Sequence, residues 1–78
     1  MEINDFIEKF AEIFDETDAA TLTPETNFRE IAEWSSLSAL GVIALADEEF
    51  EVELTGNELR NANTIQDIFE ILSTKANA

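Results

Sequence analysis

The sequence predicts an all-α protein: a small bundle of three main helices plus one short helix, with a long loop between the first and second helices. Apolar residues recur every three or four positions near both ends of the chain, which is the period of an amphipathic helix. The middle of the chain holds a further apolar run, and the only proline lies before it. With 78 residues the chain has room for one modest core, so we expect a single domain.

The first helix is predicted from its apolar stripe, which starts at Ile3. Asn4 or a neighbour is expected to cap its start. The opposite face is acidic, with Glu2, Asp5, Glu8, Glu12 and Asp15. The apolar stripe comprises Ile3, Phe6, Ile7, Phe10, Ile13 and Phe14.

A long ordered loop is predicted between Asp15 and Ser35. This stretch is rich in Thr, Asp and Glu, contains Pro24, and shows no sustained period. Because a structureless connection of about 20 residues is unusual in a compact domain, side chains should anchor it. The expected anchors are Leu22, Phe28, Ile31 and Trp34. Trp34 is interpreted as an anchor rather than as a platform for a ligand.

The central helix is predicted over residues 36–50, which are apolar at first and end in an acidic cluster. Ser35 precedes it and is a good N-cap residue, since its hydroxyl can accept a hydrogen bond from a backbone N–H of the first turn. Gly41 and nearby alanines make this helix thin. That thinness indicates either close helix packing or room for an apolar chain between helices.

The remaining segments predict one short helix and one longer helix. After Val52 and Leu54, residues 55–60 indicate a turn followed by a short helical turn. In the last helix Thr64 is the expected cap, and Asp67 holds the capping-box position near the positive helix end. The apolar stripe of this helix comprises Ile65, Ile68, Phe69 and Leu72.

The charge balance excludes some partners and favours others. Eighteen acidic residues face four basic ones, giving a formal net charge of -14 and a pI near 4.1. Nucleic acid is excluded as a partner, because binding a phosphate backbone needs clustered Lys and Arg. Anionic membranes are disfavoured and stable membrane insertion is not expected. The acidity serves either encounters with basic partners or solubility alone, and self-repulsion favours a monomer.

The missing residue types argue against an enzyme. The chain has no Cys and no His, so it lacks a thiolate nucleophile, a Cys-based metal site and the commonest general base. No calcium-loop pattern appears, and no metal site is expected. The N-terminal residues do not form a signal peptide and no segment reaches membrane-spanning length, so a cytoplasmic protein is expected.

One motif carries the chemistry. It is Glu33-Trp34-Ser35-Ser36-Leu37, at the end of the long loop and the start of the central helix. Phe28 precedes it, the acidic run at residues 47–50 follows, and Thr64-Ile65 opens the last helix. In these features the chain resembles the acyl and peptidyl carrier proteins over essentially its whole length. The resemblance implies a single acyl-carrier-like domain over residues 1–78.

The resemblance implies that Ser36 bears a covalent 4'-phosphopantetheine arm, which makes the protein a phosphoprotein. A phosphopantetheinyl transferase would bring coenzyme A and Mg²⁺, and the Ser36 hydroxyl would attack the pyrophosphate. The thiol of the arm would then carry acyl groups as thioesters in fatty-acid, polyketide or related lipid metabolism. Partners would be acyl-transfer and condensing enzymes. Leu37 would be either a lip of the core or a partner contact.

Ser35 departs from the family pattern, in which an aspartate stands before the modified serine. Serine and aspartate rank together as N-caps, so the fold should be little affected. In the family this aspartate helps the transferase and its metal engage the site. An alternative is therefore an unmodified acidic interaction module on the same fold, and another is an aminoacyl or peptidyl carrier.

The acidic cluster at the end of the central helix has two interpretations. Most of its residues are expected to form a solvated helix end. Asp47 and Glu48 are the expected docking contacts for basic patches on partner enzymes, where they would speed encounter more than tighten the complex.

Overall fold

The computed structural model describes residues 1–77 and confirms the predicted all-α class. Within that part of the chain there is no β-strand, and the helices are α1 (Ile3–Ala11), α2 (Ser36–Leu45), α3 (Gly56–Asn61) and α4 (Ile65–Ala76). Helix α2 continues into one π-helical turn, Ala46–Phe50. The connection between α1 and α2 contains two short 3-10 turns, Ala19–Thr21 and Phe28–Glu30.

Helix α1 is shorter than its apolar stripe. Its last turn tightens, because the N–H groups of Ile13 and Phe14 donate to carbonyls three residues earlier, at Phe10 and Ala11. Phe14 is still buried, so the stripe marks the core side of the chain beyond the helix end. The N-cap position is Glu2 rather than Asn4, and no side chain caps this helix.

The core is formed by side chains from all four helices and from the three segments that connect them. An aromatic series runs through it, with ring centroids of Phe6 and Phe69 at 5.5 Å and those of Phe28 and Trp34 at 4.9 Å. The burial of these apolar side chains is the main stabilising contribution available to so small a chain. The largest fully buried side chains are Phe6, Phe10, Phe28, Val42, Leu54, Ile65, Ile68 and Leu72.

The long loop is anchored as predicted, by Leu22 and Phe28 within the core and by Ile31 and Trp34 packed against it. It is also tied to the other end of the chain. The Arg29 guanidinium donates to the carbonyls of Leu59, Arg60 and Ala62 at 3.1, 2.6 and 2.7 Å. These carbonyls lie at the C-terminal end of α3, where a cation is favourable.

The predicted start of α4 is confirmed in detail. Thr64 Oγ1 accepts the backbone N–H of Asp67 at 3.1 Å. The Asp67 carboxylate accepts the N–H groups of Asn63 and Thr64 at 2.9 and 3.1 Å. These contacts satisfy donors that a helix start otherwise leaves without partners.

None of the helices in the described part of the chain is long and apolar enough to cross a bilayer.

Candidate functional site

Ser36 is the first residue of α2, and its side chain is exposed. Ser35 precedes it in an extended conformation, with φ -154° and ψ 178°. The first N–H groups of a helix have no intrahelical carbonyl to bond, and they carry partial positive charge. The Ser36 hydroxyl therefore stands in solvent beside donors that favour an anionic group.

The first turn of α2 is closed by two serines. Ser35 occupies the N-cap position, as predicted, and forms a capping box with Ser38. The well-formed bond of this box runs from the Ser35 N–H to Ser38 Oγ, at 3.1 Å. The Ser38 hydroxyl in turn donates to the Glu33 carbonyl at 3.3 Å and is buried. The role of Ser38 was not predicted from the sequence, although its position three residues after an N-cap is a recognisable signal.

Leu37 lies next to Ser36 and is 77% exposed, so it is not a lip of the core. Leu40 is 62% exposed. Residues three apart on a helix are neighbours, so the two leucines form one apolar patch beside the serine. Leu40 was not predicted as part of this patch, although its spacing from Leu37 makes the two residues neighbours on a helix.

Asp47 and Glu48 are exposed and lie in the π-helical turn. At ~1.5 Å of helix rise per residue, Asp47 lies roughly 16 Å along the axis from Ser36. The structure therefore places these acids at the opposite end of the helix that begins with the Ser36 hydroxyl. In residues 1–77, no group of three or more His, Cys, Asp or Glu residues could hold a metal ion.

Glu33 makes contacts that sequence analysis did not predict. Its carboxylate accepts the backbone N–H of Asp15 at 3.2 Å and of Glu16 at 3.1 and 3.2 Å, and it also accepts the Thr17 hydroxyl. The bond from Thr17, followed by those from the backbone, lowers the pKa of Glu33 below its usual value. No local sequence pattern predicts these contacts, because the partners of Glu33 lie at the other end of the loop.

Gly41 packs closely against the segment that follows α1. A Cβ at this position would lie 2.9 Å from Cγ2 of Ile13. The thinness of α2 at Gly41 is therefore explained by close packing rather than by free space.

A separate cleft of about 280 Å³ opens between α2 and α3. Ala39 and Ile43 line it from α2, three and seven residues after Ser36 and hence on the same side of the helix. Its other walls include Phe28, Trp34 and Leu59, so the cleft is largely apolar.

Comparison with known proteins gives a matching family model and several named relatives. The sequence model of the family described as "Phosphopantetheine attachment site" matches residues 4–72. The acyl carrier protein of Thermobifida fusca is 31% identical over 71 residues, covering 87% of this chain and 90% of the relative. That of Thermosynechococcus vestitus is 31% identical over 61 residues, covering 78% and 75%. That of Aster yellows witches'-broom phytoplasma is 35% identical over 51 residues, covering 65% and 67%.

No solved structure gives a significant match.

The site suits the cofactor of this family, 4'-phosphopantetheine, which is attached covalently through a phosphate. An exposed hydroxyl lies in the first turn of α2, where the free backbone N–H groups favour a phosphate. The chain thus belongs to the phosphopantetheine-binding acyl carrier proteins, whose members are carriers of acyl groups and not enzymes.

Proposed function

We propose that residues 1–78 form a single carrier domain that bears 4'-phosphopantetheine on Ser36 and shuttles acyl thioesters in fatty-acid or related acyl metabolism. The observation that carries the proposal is the exposed Ser36 hydroxyl at the first position of α2. The names of the relatives, all acyl carrier proteins, support an acyl cargo. The cytoplasmic location and monomeric state expected from the sequence remain part of this proposal.

The attachment is a phosphoryl transfer in which this chain supplies the nucleophile. Ser36 Oγ forms a bond to the pantetheine-bearing phosphorus of coenzyme A, and the pyrophosphate P–O bond breaks. The nucleotide half of coenzyme A leaves with the other phosphate, and the serine proton passes to a base on the transferase. Mg²⁺ would come with the transferase. The start of α2 favours the phosphodiester that results.

The partner surface would begin at the apolar patch of Leu37 and Leu40 and continue along α2 to Asp47 and Glu48. The two exposed leucines offer apolar area that a partner can cover. The acids would attract basic patches on a transferase and on acyl-transfer and condensing enzymes, which speeds encounter and still permits rapid release.

The test is the intact mass of the chain after incubation with coenzyme A, Mg²⁺ and a broad-specificity phosphopantetheinyl transferase. Wild type and Ser35→Ala should gain one phosphopantetheine, and Ser36→Ala should gain none. Ser35→Ala is the matched control, because it removes the adjacent hydroxyl and leaves Ser36 in place. A mass gain that survives in Ser36→Ala would refute the assignment.

The same experiment decides the alternative of an unmodified interaction module. That alternative rests on Ser35, which lacks the charge of the aspartate in the family pattern. No gain in wild type with any transferase would favour it. A gain restored by Ser35→Asp would show that the missing carboxylate is the reason. Loading of the modified chain with acyl or with aminoacyl groups would separate an acyl carrier from an aminoacyl or peptidyl carrier.

A further inference from the structure

Glu33 joins the two sides of the site, because its side chain and its backbone are bonded to different segments. The carboxylate binds the residues that follow α1, through the N–H groups of Asp15 and Glu16 and the hydroxyl of Thr17. The backbone carbonyl accepts the Ser38 hydroxyl in the first turn of α2. One residue therefore links the end of α1 to the turn that carries Ser36.

The acidic residues around Glu33 make its contact with the segment after α1 unfavourable unless other interactions offset the repulsion. Glu33 lies against a segment that contains Asp15, Glu16 and Asp18, in a chain of net charge -14. Like charges at short range oppose such a contact. The hydrogen bonds that the Glu33 carboxylate accepts offset this repulsion, because hydrogen bonds to a charged acceptor are stronger than those between neutral groups.

The attachment segment has few other restraints on its loop side. Trp34 packs its ring on Phe28 and Phe10, with centroids at 4.9 and 6.5 Å, which anchors the backbone one residue before Ser35. Ser35, Ser36 and Leu37 are themselves exposed. On the loop side, the restraint on their orientation thus comes from the Trp34 ring and from the bonds of Glu33. Within α2 it comes from the bond of the Ser35 N–H to Ser38 Oγ.

We propose that Glu33 is a positioning residue for the modification reaction, holding the junction between the loop and α2 in the one arrangement that presents the Ser36 hydroxyl to a transferase. This inference rests on the proposed function of Ser36. It predicts that loosening the junction lowers the fraction of molecules ready to bind the transferase. The apparent affinity then falls in proportion to that fraction.

The test is the steady-state kinetics of modification at saturating coenzyme A, with wild type, Glu33→Ala and Glu33→Gln as carrier substrates. If the presented fraction falls to about a fifth, the KM for Glu33→Ala rises about fivefold. Its kcat should stay unchanged, because the chemistry of the bound complex is the same. Glu33→Gln keeps one acceptor oxygen, so its KM should lie between those of wild type and Glu33→Ala.

Two controls separate positioning from stability and from charge. Thr64→Ala removes the cap of α4 and weakens the fold away from Ser36, and it should leave KM unchanged. Glu30→Gln removes an exposed acid of the same loop and should also leave KM unchanged. Amide hydrogen exchange at Asp15 and Glu16 should become faster in Glu33→Ala alone.

Three results would overturn the inference in distinguishable ways. An unchanged KM in Glu33→Ala, with faster exchange at Asp15 and Glu16, shows that the contacts exist but do not position Ser36. A KM raised equally in Thr64→Ala shows that global stability is responsible. A wild-type chain that no transferase modifies refutes the proposed function itself, and the inference falls with it.

Discussion

At the scale of single residues, Glu51 has a backbone conformation that its side chain disfavours. It has φ 54° and ψ 39°, in the left-handed region, and its N–H donates to the carbonyls of Ala46 and Asp47 to end the π-helical turn. Glycine is the usual residue at such a position, because a Cβ there costs roughly 1–2 kcal/mol.

Replacing Glu51 should therefore stabilise the protein. We expect Glu51→Gly to raise the free energy of unfolding by about 0.5–1 kcal/mol, the relief of strain being partly offset by the greater freedom of glycine in the unfolded chain. Glu51→Gln is the control, since it removes the same charge and keeps the Cβ. Denaturant unfolding measures both. A Gln variant as stable as the Gly variant would mean that charge, not backbone strain, is the cause.

Residues also differ in how far the sequence alone could predict their roles. The position of Ser36 at the start of α2 was predicted correctly, because the capping signal of Ser35 is local in sequence. The role of Ser36 as the attachment residue was inferred from the family resemblance and stays a prediction. Glu33 was named within the motif, but its contacts were not predicted, because its donors lie at residues 15–17 and only the folded chain brings them together. Arg29 was missed as a link to α3 for the same reason.

At the scale of elements, α4 was predicted best because its signals are contiguous in sequence. Its cap at Thr64, its capping-box residue Asp67 and its apolar stripe all lie within nine residues of one another. The predicted α1 was too long, because the apolar period continues to Ile13 and Phe14 although the helix ends at Ala11. The π-helical turn after α2 was not predicted either, and we find no local pattern that announces it.

The start of α4 makes a prediction about pH. Hydrogen bonds from the N–H groups of Asn63 and then Thr64 lower the pKa of Asp67 below its ordinary value of 3.8. A carboxyl whose pKa is lower in the folded than in the unfolded state contributes stability that is present above the unfolded pKa. That contribution is lost as the pH falls through the folded pKa.

We therefore expect Asp67→Asn to be less stable than wild type at pH 7, by roughly 1 kcal/mol for one impaired cap. The difference should shrink as the pH falls below about 3.8. Thermal unfolding from pH 7 to pH 3 measures it, and Glu25→Gln, an exposed loop acid, controls for the general relief of repulsion. A difference that stays constant with pH would contradict the carboxylate cap.

At the scale of the whole molecule, the basic residues make contacts within the chain. Lys9 pairs with Glu49 at 3.6 Å, Lys75 pairs with Glu58 at 2.5 Å, and Arg60 bonds the Asn57 side chain at 3.0 Å. Arg29 is bonded to carbonyls of the α3 end. Most of the acidic surface is left without compensation, and this favours rapid, salt-sensitive encounter with basic partners.

If Asp47 and Glu48 are docking contacts, their charges should matter more for encounter with a partner than other acidic charges on the surface do. The double variant Asp47→Asn/Glu48→Gln should lower kcat/KM for modification several-fold at low salt, and the difference should vanish at high salt as screening increases. Glu25→Gln/Glu30→Gln makes the same change in net charge within the loop and should have a smaller effect. Equal losses in both double variants would assign the effect to overall charge rather than to the end of α2.

The central claim is that the Ser36 hydroxyl, presented at the first position of α2, is the atom that receives the arm. Fragmentation mass spectrometry of the modified wild-type chain locates the phosphodiester directly. We expect a single phosphopantetheine on Ser36 and none on Ser35. A phosphodiester on Ser35, or on any other residue, would contradict it.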